Sequence, residues 1–238
     1  MKIAVGQTRS EPGEISDNIK RHLELVDSAV TKSADAVFFP ELSITGYEPE
    51  LASAFAFDWD EPRFEVFQAV SDAQNVWIGI GAPIRQMGGI TISMLLFQPG
   101  RARLVHSKRF LHTDEKPFFQ AGEHLPNSVI QNTNVALAIC YEISIPEHTE
   151  AVCTAGAQLY VASVAKTRTG VTKALDQLPL IAVEYSIPVL LSNCVGPCEG
   201  QQGGGCSAIW DAEGRLLEQL DGTREDVLVL DTEQFPSE

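Results

Sequence analysis

Residues 134–142 read NVALAICYE. Val135, Leu137 and Ile139 point one way along an extended chain, because side chains alternate across a strand. Polarity returns at Tyr141-Glu142, so the run reads as a buried strand with Cys140 at its end. In α/β folds, side chains emerge into crevices at strand ends. Working upstream, residues 34–40 (ADAVFFP) form a second buried strand that Pro40 stops, and residues 2–7 (KIAVGQ) form a short first strand. Between them, Ile19, Leu23, Val26 and Val30 fall on one face of a helix over 17–32, with Ser16 or Asp17 placed to cap its N-terminus. Residues 61–72 form a second helix, with Phe64, Phe67 and Val70 on its apolar side. Strands at 76–84, 91–98 and 103–108 are joined by MGG and PGR turns, an antiparallel arrangement. Downstream, a helix over 145–155 follows the Cys140-bearing strand. A strand at 158–165, a helix at 172–185 and a strand at 187–194 come next. Gly203-Gly204-Gly205 reads as a flexible turn before a hairpin at 206–220, and a strand at 226–231 closes the chain. This order predicts an α/β fold of mixed sheets covered by helices, one domain over residues 1–238.

Composition narrows the functions available. The chain has 238 residues, with 17 Lys and Arg against 32 Asp and Glu, a net charge of −15. That balance repels a phosphate backbone, and no basic tract offsets it, so neither nucleic acid nor an anionic membrane is an expected partner. Apolar residues make up 44%, enough for a core. No apolar run approaches the roughly 18 residues of a membrane helix, and the N-terminus reads as a strand instead of a secretory signal. Five cysteines, odd in number and unevenly spaced, point to free thiols and a cytoplasmic setting. Motifs for phosphate-binding loops, zinc peptidases and serine-elbow hydrolases are absent. Ser163-Val164-Ala165-Lys166 has the S-x-x-K spacing of penicillin-recognising enzymes, but it follows a strand, and the accompanying S-D-N at Ser16 precedes it. Cys194, Cys198 and Cys206 lack the tight pairs and the fourth ligand of a zinc ribbon.

Four residues stand out, and position alone leaves each open. Cys140 is either a core cysteine or a nucleophile emerging at a strand end. Glu41, just past the Pro40 stop, is either a helix-start acid or a carboxylate at the sheet margin. Lys108 ends the strand RLVHSK and reads alone as a surface charge. Glu115, seven residues on, reads alone as a loop acid.

Taken together, FFPELSITGYEP (38–49), SKRFLHTDEKPFFQAGE (107–123) and ALAICYEISIPE (136–147) resemble, in order, the three signature blocks of the nitrilase (carbon–nitrogen hydrolase) superfamily. Gly156-Ala157, Glu184, Ser192-Asn193, Gly196, Gly205, Ser207 and Gly214 fit the later blocks, so the likeness extends from Lys2 to about Asp231. The resemblance implies a four-layer αββα sandwich with two mixed β-sheets. It also implies hydrolysis of a non-peptide C–N bond in a small amide of amidase, omega-amidase or carbamoyl type. Cys140 would form a thioester, Glu41 act as general base, Lys108 stabilise the oxyanion with a backbone N–H near Tyr141, and Glu115 orient Lys108 or the substrate. Tyr47, Tyr141, Ala165 and Lys166 would touch substrate. Neither a metal nor a cofactor is implied. Nitrile hydrolysis, acyl transfer to an amine, or a catalytically silent scaffold are the alternatives. A homodimer or higher homo-oligomer joined through helix faces is expected, and the single catalytic domain leaves no room for a second module.

Overall fold

A computed structural model of the chain describes residues 1–123 and 127–234. Along Thr133–Ile139, Val135, Leu137 and Ile139 join one apolar cluster while Ala136 and Ala138 join another. A strand with two apolar faces has to be covered on both, and that requirement sets the architecture.

In chain order the strands are β1 (Lys2–Gln7), β2 (Ala36–Phe38), β3 (Trp77–Gln86), β4 (Gly89–Gln98), β5 (Arg101–Ser107), β6 (Ser128–Ile130) and β7 (Thr133–Ile139). They continue as β8 (Leu159–Ser163), β9 (Val189–Ser192), β10 (Val195–Cys198), β11 (Gln201–Gly204), β12 (Ala208–Trp210), β13 (Leu216–Gln219) and β14 (Asp226–Asp231). The α-helices are α1 (Ile15–Thr31), α2 (Ala52–Phe55), α3 (Glu65–Gln74), α4 (Pro146–Thr154) and α5 (Arg168–Tyr185). One six-stranded sheet runs β14-β1-β2-β3-β4-β5 and the other β13-β12-β9-β8-β7-β6, with β10-β11 a separate hairpin. The first is parallel across β1-β2-β3 and the second across β7-β8-β9; their remaining ladders are antiparallel.

The sheets pack face to face through Ile3, Val5, Phe38 and Leu96 on one side and Leu137, Val161, Leu190 and Ile209 on the other. Helices α1 and α3 cover the outer face of the first sheet, where Ile19, Val26 and Phe67 meet Val37, Ile78 and Ile80. Helices α4 and α5 cover the second, where Val152, Val171 and Leu178 meet Ala136, Ala162 and Leu191. This is the four-layer αββα sandwich. Two buried serines join the layers near the strand ends: Ser163 Oγ donates to Phe39 O at 2.7 Å and Ser192 Oγ to Gly6 O at 2.6 Å. The parallel strands therefore end at a common level, with Ile139, Ser163 and Ser192 in register.

Several details depart from the sequence reading. Helix α1 starts at Ile15 after Glu14, and neither Ser16 nor Asp17 caps it. Asn18 instead clamps the preceding turn, accepting from Glu11 N–H and donating to Glu11 O, which brings the chain into helix early. Gly203 and Gly204 are no flexible turn; they lie in β11 and pair with β10. A Cβ on Gly203 would sit 2.6 Å from Cys194 O, so glycine here serves close packing. The strand expected to run to Glu142 stops at Ile139, and residues 140–144 turn into a 3₁₀ helix. No helix among the described residues is long and apolar enough to cross a membrane.

Gly81 on β3 is the floor beneath the segment that follows β2. A Cβ there would lie 2.2 Å from Pro40 O and 2.5 Å from Leu42 N, both backbone atoms that cannot swing away. Gly81→Ala is expected to lift the Glu41 loop and destabilise the fold by about 1–3 kcal/mol, the range for overpacking a close interior contact. Urea unfolding reads this; a midpoint equal to that of wild type would contradict the packing argument.

Candidate active site

The site is assembled around one cation. Lys108 follows β5, with its N–H bonded to Ile92 O at 2.8 Å and its carbonyl accepting from Gly122 N–H at 2.8 Å. The two bonds close the 108–122 loop on itself and turn the side chain inward, where it is 0% exposed. Its Nζ donates to Glu41 Oε1 at 2.7 Å and to Glu115 Oε1 at 2.6 Å. Burying a lone ion is unfavourable by several kcal/mol, so an ammonium at this depth requires such partners. Burial works against the charge of Lys108, but the facing Glu41, Cys140 and Glu115 outweigh it, and its pKa is raised.

Both carboxylates are buried as well. Glu115 sits in the turn after Lys108, where Oε1 also accepts from Tyr47 Oη at 2.9 Å and Oε2 accepts from His112 N–H at 2.7 Å. Burial, then the charges of Glu41 and Glu115, keeps the Tyr47 phenol protonated and able to donate. Glu41 follows Pro40 and precedes Leu42, which takes the left-handed φ of 50°. Burial pushes the Glu41 carboxyl up to about 7; Lys108 opposes this and Glu115 reinforces it. Its Oε2 has no hydrogen-bond partner, and the Cys140 thiol interacts with the same carboxylate. Behind this loop Ser43 Oγ meets His22 Nε2 at 2.8 Å, and His22 Nδ1 lies 2.7 Å from Asn18 O. Burial lowers the His22 pKa to about 4, so the ring is neutral: Nδ1–H donates to the carbonyl and Nε2 accepts from the serine.

Cys140 opens the 3₁₀ turn with φ of 47°, a conformation unfavourable for a residue with a Cβ by roughly 1–2 kcal/mol. The turn swings its half-buried thiol out of the strand and toward Glu41. Burial, then the Glu41 charge, pushes the thiol up to about 12, against Lys166, Lys108 and the Ala165 N–H. At rest the sulfur is a thiol, and ionising it requires a base.

The structure brings Glu41, Lys108, Glu115 and Tyr47 into one hydrogen-bonded chain, with Cys140 beside it. Ala165 meets Cys140 through its N–H, and the charge of Lys166 reaches the thiol. Tyr141 stands further out, its ring edge-on to His112 at 5.1 Å. It lines an adjoining cavity of about 560 Å³ with Arg109, Leu111 and Phe119.

One residue of the site escaped the sequence reading. Glu142 is 1% exposed. Its Oε2 accepts from Ile139 N–H at 2.8 Å, and Oε1 accepts from Arg109 N–H at 2.7 Å and Phe110 N–H at 3.2 Å. It thus ties the segment after Lys108 to the start of the Cys140 turn. The available signal was an acid enclosed by apolar residues, Ile139 before it and Ile143 after, which has to be satisfied by donors when buried. Among the described residues no group of three or more His, Cys, Asp and Glu is placed to hold a metal ion. All five thiols are free, and Cys194 and Cys198 interact with each other.

Comparison with known proteins gives the family and the fold. The family model for Carbon-nitrogen hydrolase matches residues 2–234. A mutant of the amidase from Nesterenkonia sp. AN1, bearing the product of Michael addition of acrylamide at its active-site cysteine, superposes with a TM-score of 0.86 at 23% identity. That alignment covers 97% of this chain and 92% of the amidase, a likeness of fold. The 2-oxoglutaramate amidase of Bacillus subtilis (strain 168) is 24% identical over 91% of this chain and 84% of its own length. The glutamine-dependent NAD(+) synthetase of Thermotoga maritima is 23% identical over 97% of this chain, which spans 42% of that protein's length. The chain belongs to the carbon–nitrogen hydrolase family and has the fold of the nitrilase-superfamily amidases.

Proposed function

We propose that the chain hydrolyses a small amide through a thioester on Cys140. The observation that carries this reading is a strained, half-buried thiol beside a carboxylate with one unpartnered oxygen, itself braced by a lysine held between two acids. The amidases among its relatives support the same substrate class.

In the first step Glu41 takes the thiol proton as Sγ attacks the amide carbon; the C–S bond forms and the carbonyl electron pair moves onto oxygen. Two of the three Lys108 N–H bonds point at Glu41 and Glu115, which leaves the third for that oxyanion. The N–H groups of the 140–144 turn's first residues have no intrahelical acceptor and supply a second donor. Pre-placed donors of this kind typically lower the barrier by about 3–4 kcal/mol each. The intermediate collapses, the C–N bond breaks, and Glu41 returns its proton to the departing amine. Water then attacks the thioester and gives a proton to Glu41, and the C–S bond breaks. The sulfur recovers that proton, and the carboxylic acid product leaves. Glu115 and Tyr47 hold Lys108 in place throughout.

Leu180 and Val183, 67% and 55% exposed on α5, support a homo-oligomer joined through helix faces. A monomeric mass by light scattering at working concentration would rule that assembly out.

Ammonia release from a panel of primary amides tests the mechanism. Cys140→Ala is expected to lower kcat/KM by about 10³-fold or more, in line with loss of a catalytic nucleophile. Activity surviving in that variant would sink the thioester, and a wild type inert toward every amide and nitrile would leave only a scaffold. Acyl transfer would appear as hydroxamate formed with added hydroxylamine at the expense of free acid.

The pH profile has a defined sign. Glu41 acts as a base only when ionised, and burial holds its pKa up to about 7, so kcat/KM should fall tenfold per pH unit below that point. Above about 7 it should plateau, since the thiol itself ionises only near 12. A profile flat down to pH 5 would remove Glu41 from the proton-transfer role.

Glu142→Gln replaces a three-fold acceptor with an amide that has a single accepting oxygen. The expected result is a kcat loss of about 10- to 100-fold with KM little changed, and a loss of stability of about 3 kcal/mol by chemical denaturation. Glu142→Asp should restore part of the kcat. Equal kcat in the wild type and both variants would show that the clamp does not position the site.

A further inference from the structure

Lys108 has no capacity left for a substrate carboxylate, since its third N–H serves the oxyanion. Two of its N–H bonds go to carboxylates, and the Glu41-Lys108-Glu115 cluster is neutral when Glu41 is protonated and negative when it is ionised. Without another cation, the buried part of the site would repel a carboxylate.

A second lysine follows the strand next to the one that bears the nucleophile. Strand β8 runs beside the Cys140-bearing β7 and ends level with it, Ile139 opposite Ser163. Two residues further on, the Ala165 N–H reaches the Cys140 sulfur, and Lys166 follows. The backbone of Lys166 is gripped from both sides by one fully buried amide. Asn193 Oδ1 accepts from Lys166 N–H at 2.8 Å, Nδ2 donates to Lys166 O at 3.1 Å, and Nδ2 is braced in turn on Gly205 O at 2.8 Å. Gly204 N–H adds a further bond to Lys166 O at 2.8 Å. Such a clamp immobilises the root of a flexible side chain, so less freedom is lost when its tip binds a ligand.

The tip itself is available. Among the described residues, no carboxylate pairs with Lys166, in a chain that carries 32 Asp and Glu. Its charge, like that of Lys108, reaches the Cys140 thiol. Another group of acids gathers near Tyr47. Glu199, whose N–H bonds to Tyr47 O, stands among Asp114, Glu48 and Glu50, which together with its partial burial raise its pKa. That acidic group weakens the pull on an approaching carboxylate, and at physiological salt its reach falls off over about 8 Å.

We infer that Lys166 receives a carboxylate of the substrate, so that the amides cleaved at Cys140 are ones carrying a free carboxylate. This rests on the thioester reading above and adds the substrate class. The carboxylate belongs either to the acyl half, as in the mono-amide of a dicarboxylic acid, or to the amine half, as in an N-acyl amino acid.

Two matched pairs separate these sources: succinamate against butyramide, and N-acetylglycine against N-ethylacetamide, each differing by a carboxylate in place of a methyl. In one pair the charged member should have the higher kcat/KM by about 10- to 100-fold, the range for a hydrogen bond to a charged group. Lys166→Met should collapse that ratio toward one, and Lys166→Arg should retain most of it. Preference for the neutral member in both pairs, or a ratio unmoved by Lys166→Met, overturns the inference. Calorimetric binding of the same four amides to Cys140→Ala, with and without Lys166→Met, keeps the test independent of turnover. If wild type turns over none of them while Cys140→Ala binds a charged amide in a Lys166-dependent way, the catalytic reading falls and only the carboxylate contact at Lys166 stands. Turnover of neutral and charged members alike would have the opposite meaning.

Discussion

An ammonium buried to zero exposure between two carboxylates is the constraint on which the rest of the site depends. Lys108 stays charged there only if Glu41 and Glu115 both reach it, and the two arrive from different segments, one after β2 and one from the loop after β5. Removing either partner leaves an unbalanced charge in a dry interior, a loss typically of about 3–5 kcal/mol. The requirement therefore locks two loops to one point. It also commits two of the lysine's three N–H bonds to the acids. The raised Glu41 pKa follows from the same burial, which makes that carboxylate basic enough to accept a thiol proton near neutral pH.

The surrounding fold is organised to hold this point still. Ser163 and Ser192 bridge the sheets through buried hydrogen bonds, so the Glu41 segment on one sheet keeps its distance from Cys140 on the other. Glu142 gives a second tie, from the Cys140 turn to the backbone just after Lys108. Two left-handed non-glycine residues, Leu42 and Cys140, flank the reacting groups. Conformations of that kind persist only where the neighbouring structure determines them fully, and the bonds made by Ser43, Ile44 and Glu142 do so here. His22 serves the same purpose from behind, as a neutral ring in a relay from α1 to the Glu41 loop.

Much of this was legible in the chain, for identifiable reasons. Strands such as 2–7, 134–139 and 226–231 announce themselves because a strand buried between layers has to be apolar over a short run. The quartet of Glu41, Lys108, Glu115 and Cys140 was picked out by blocks that resemble a known family, since position alone left each residue open; the structure brings the four together. Other features were hidden. The β10-β11 hairpin contains Gly196, Pro197, Gly203 and Gly204, which read as a loop; pairing across the hairpin and contact with Cys194 override that composition. The start of α1 was misplaced because Asn18 reaches backward to Glu11, a bond that propensity does not register. Glu142 looked like the return of polarity after a strand, whereas its three acceptor bonds hold it inside.

By itself the sequence determined an α/β order of mixed sheets covered by helices, because that is written in local patterns of apolar runs and stop signals. The four-layer sandwich and the candidate site residues came from its resemblance to a known family. Tertiary structure alone decided what those residues are like. Charge state and orientation arise from burial and from partners distant in sequence: Glu41 lies 67 residues from Lys108, and Asn193 lies 27 from Lys166. No local pattern carries that information, since the desolvation that shifts a pKa and the distance that makes an ion pair exist only once the sheets have closed on each other.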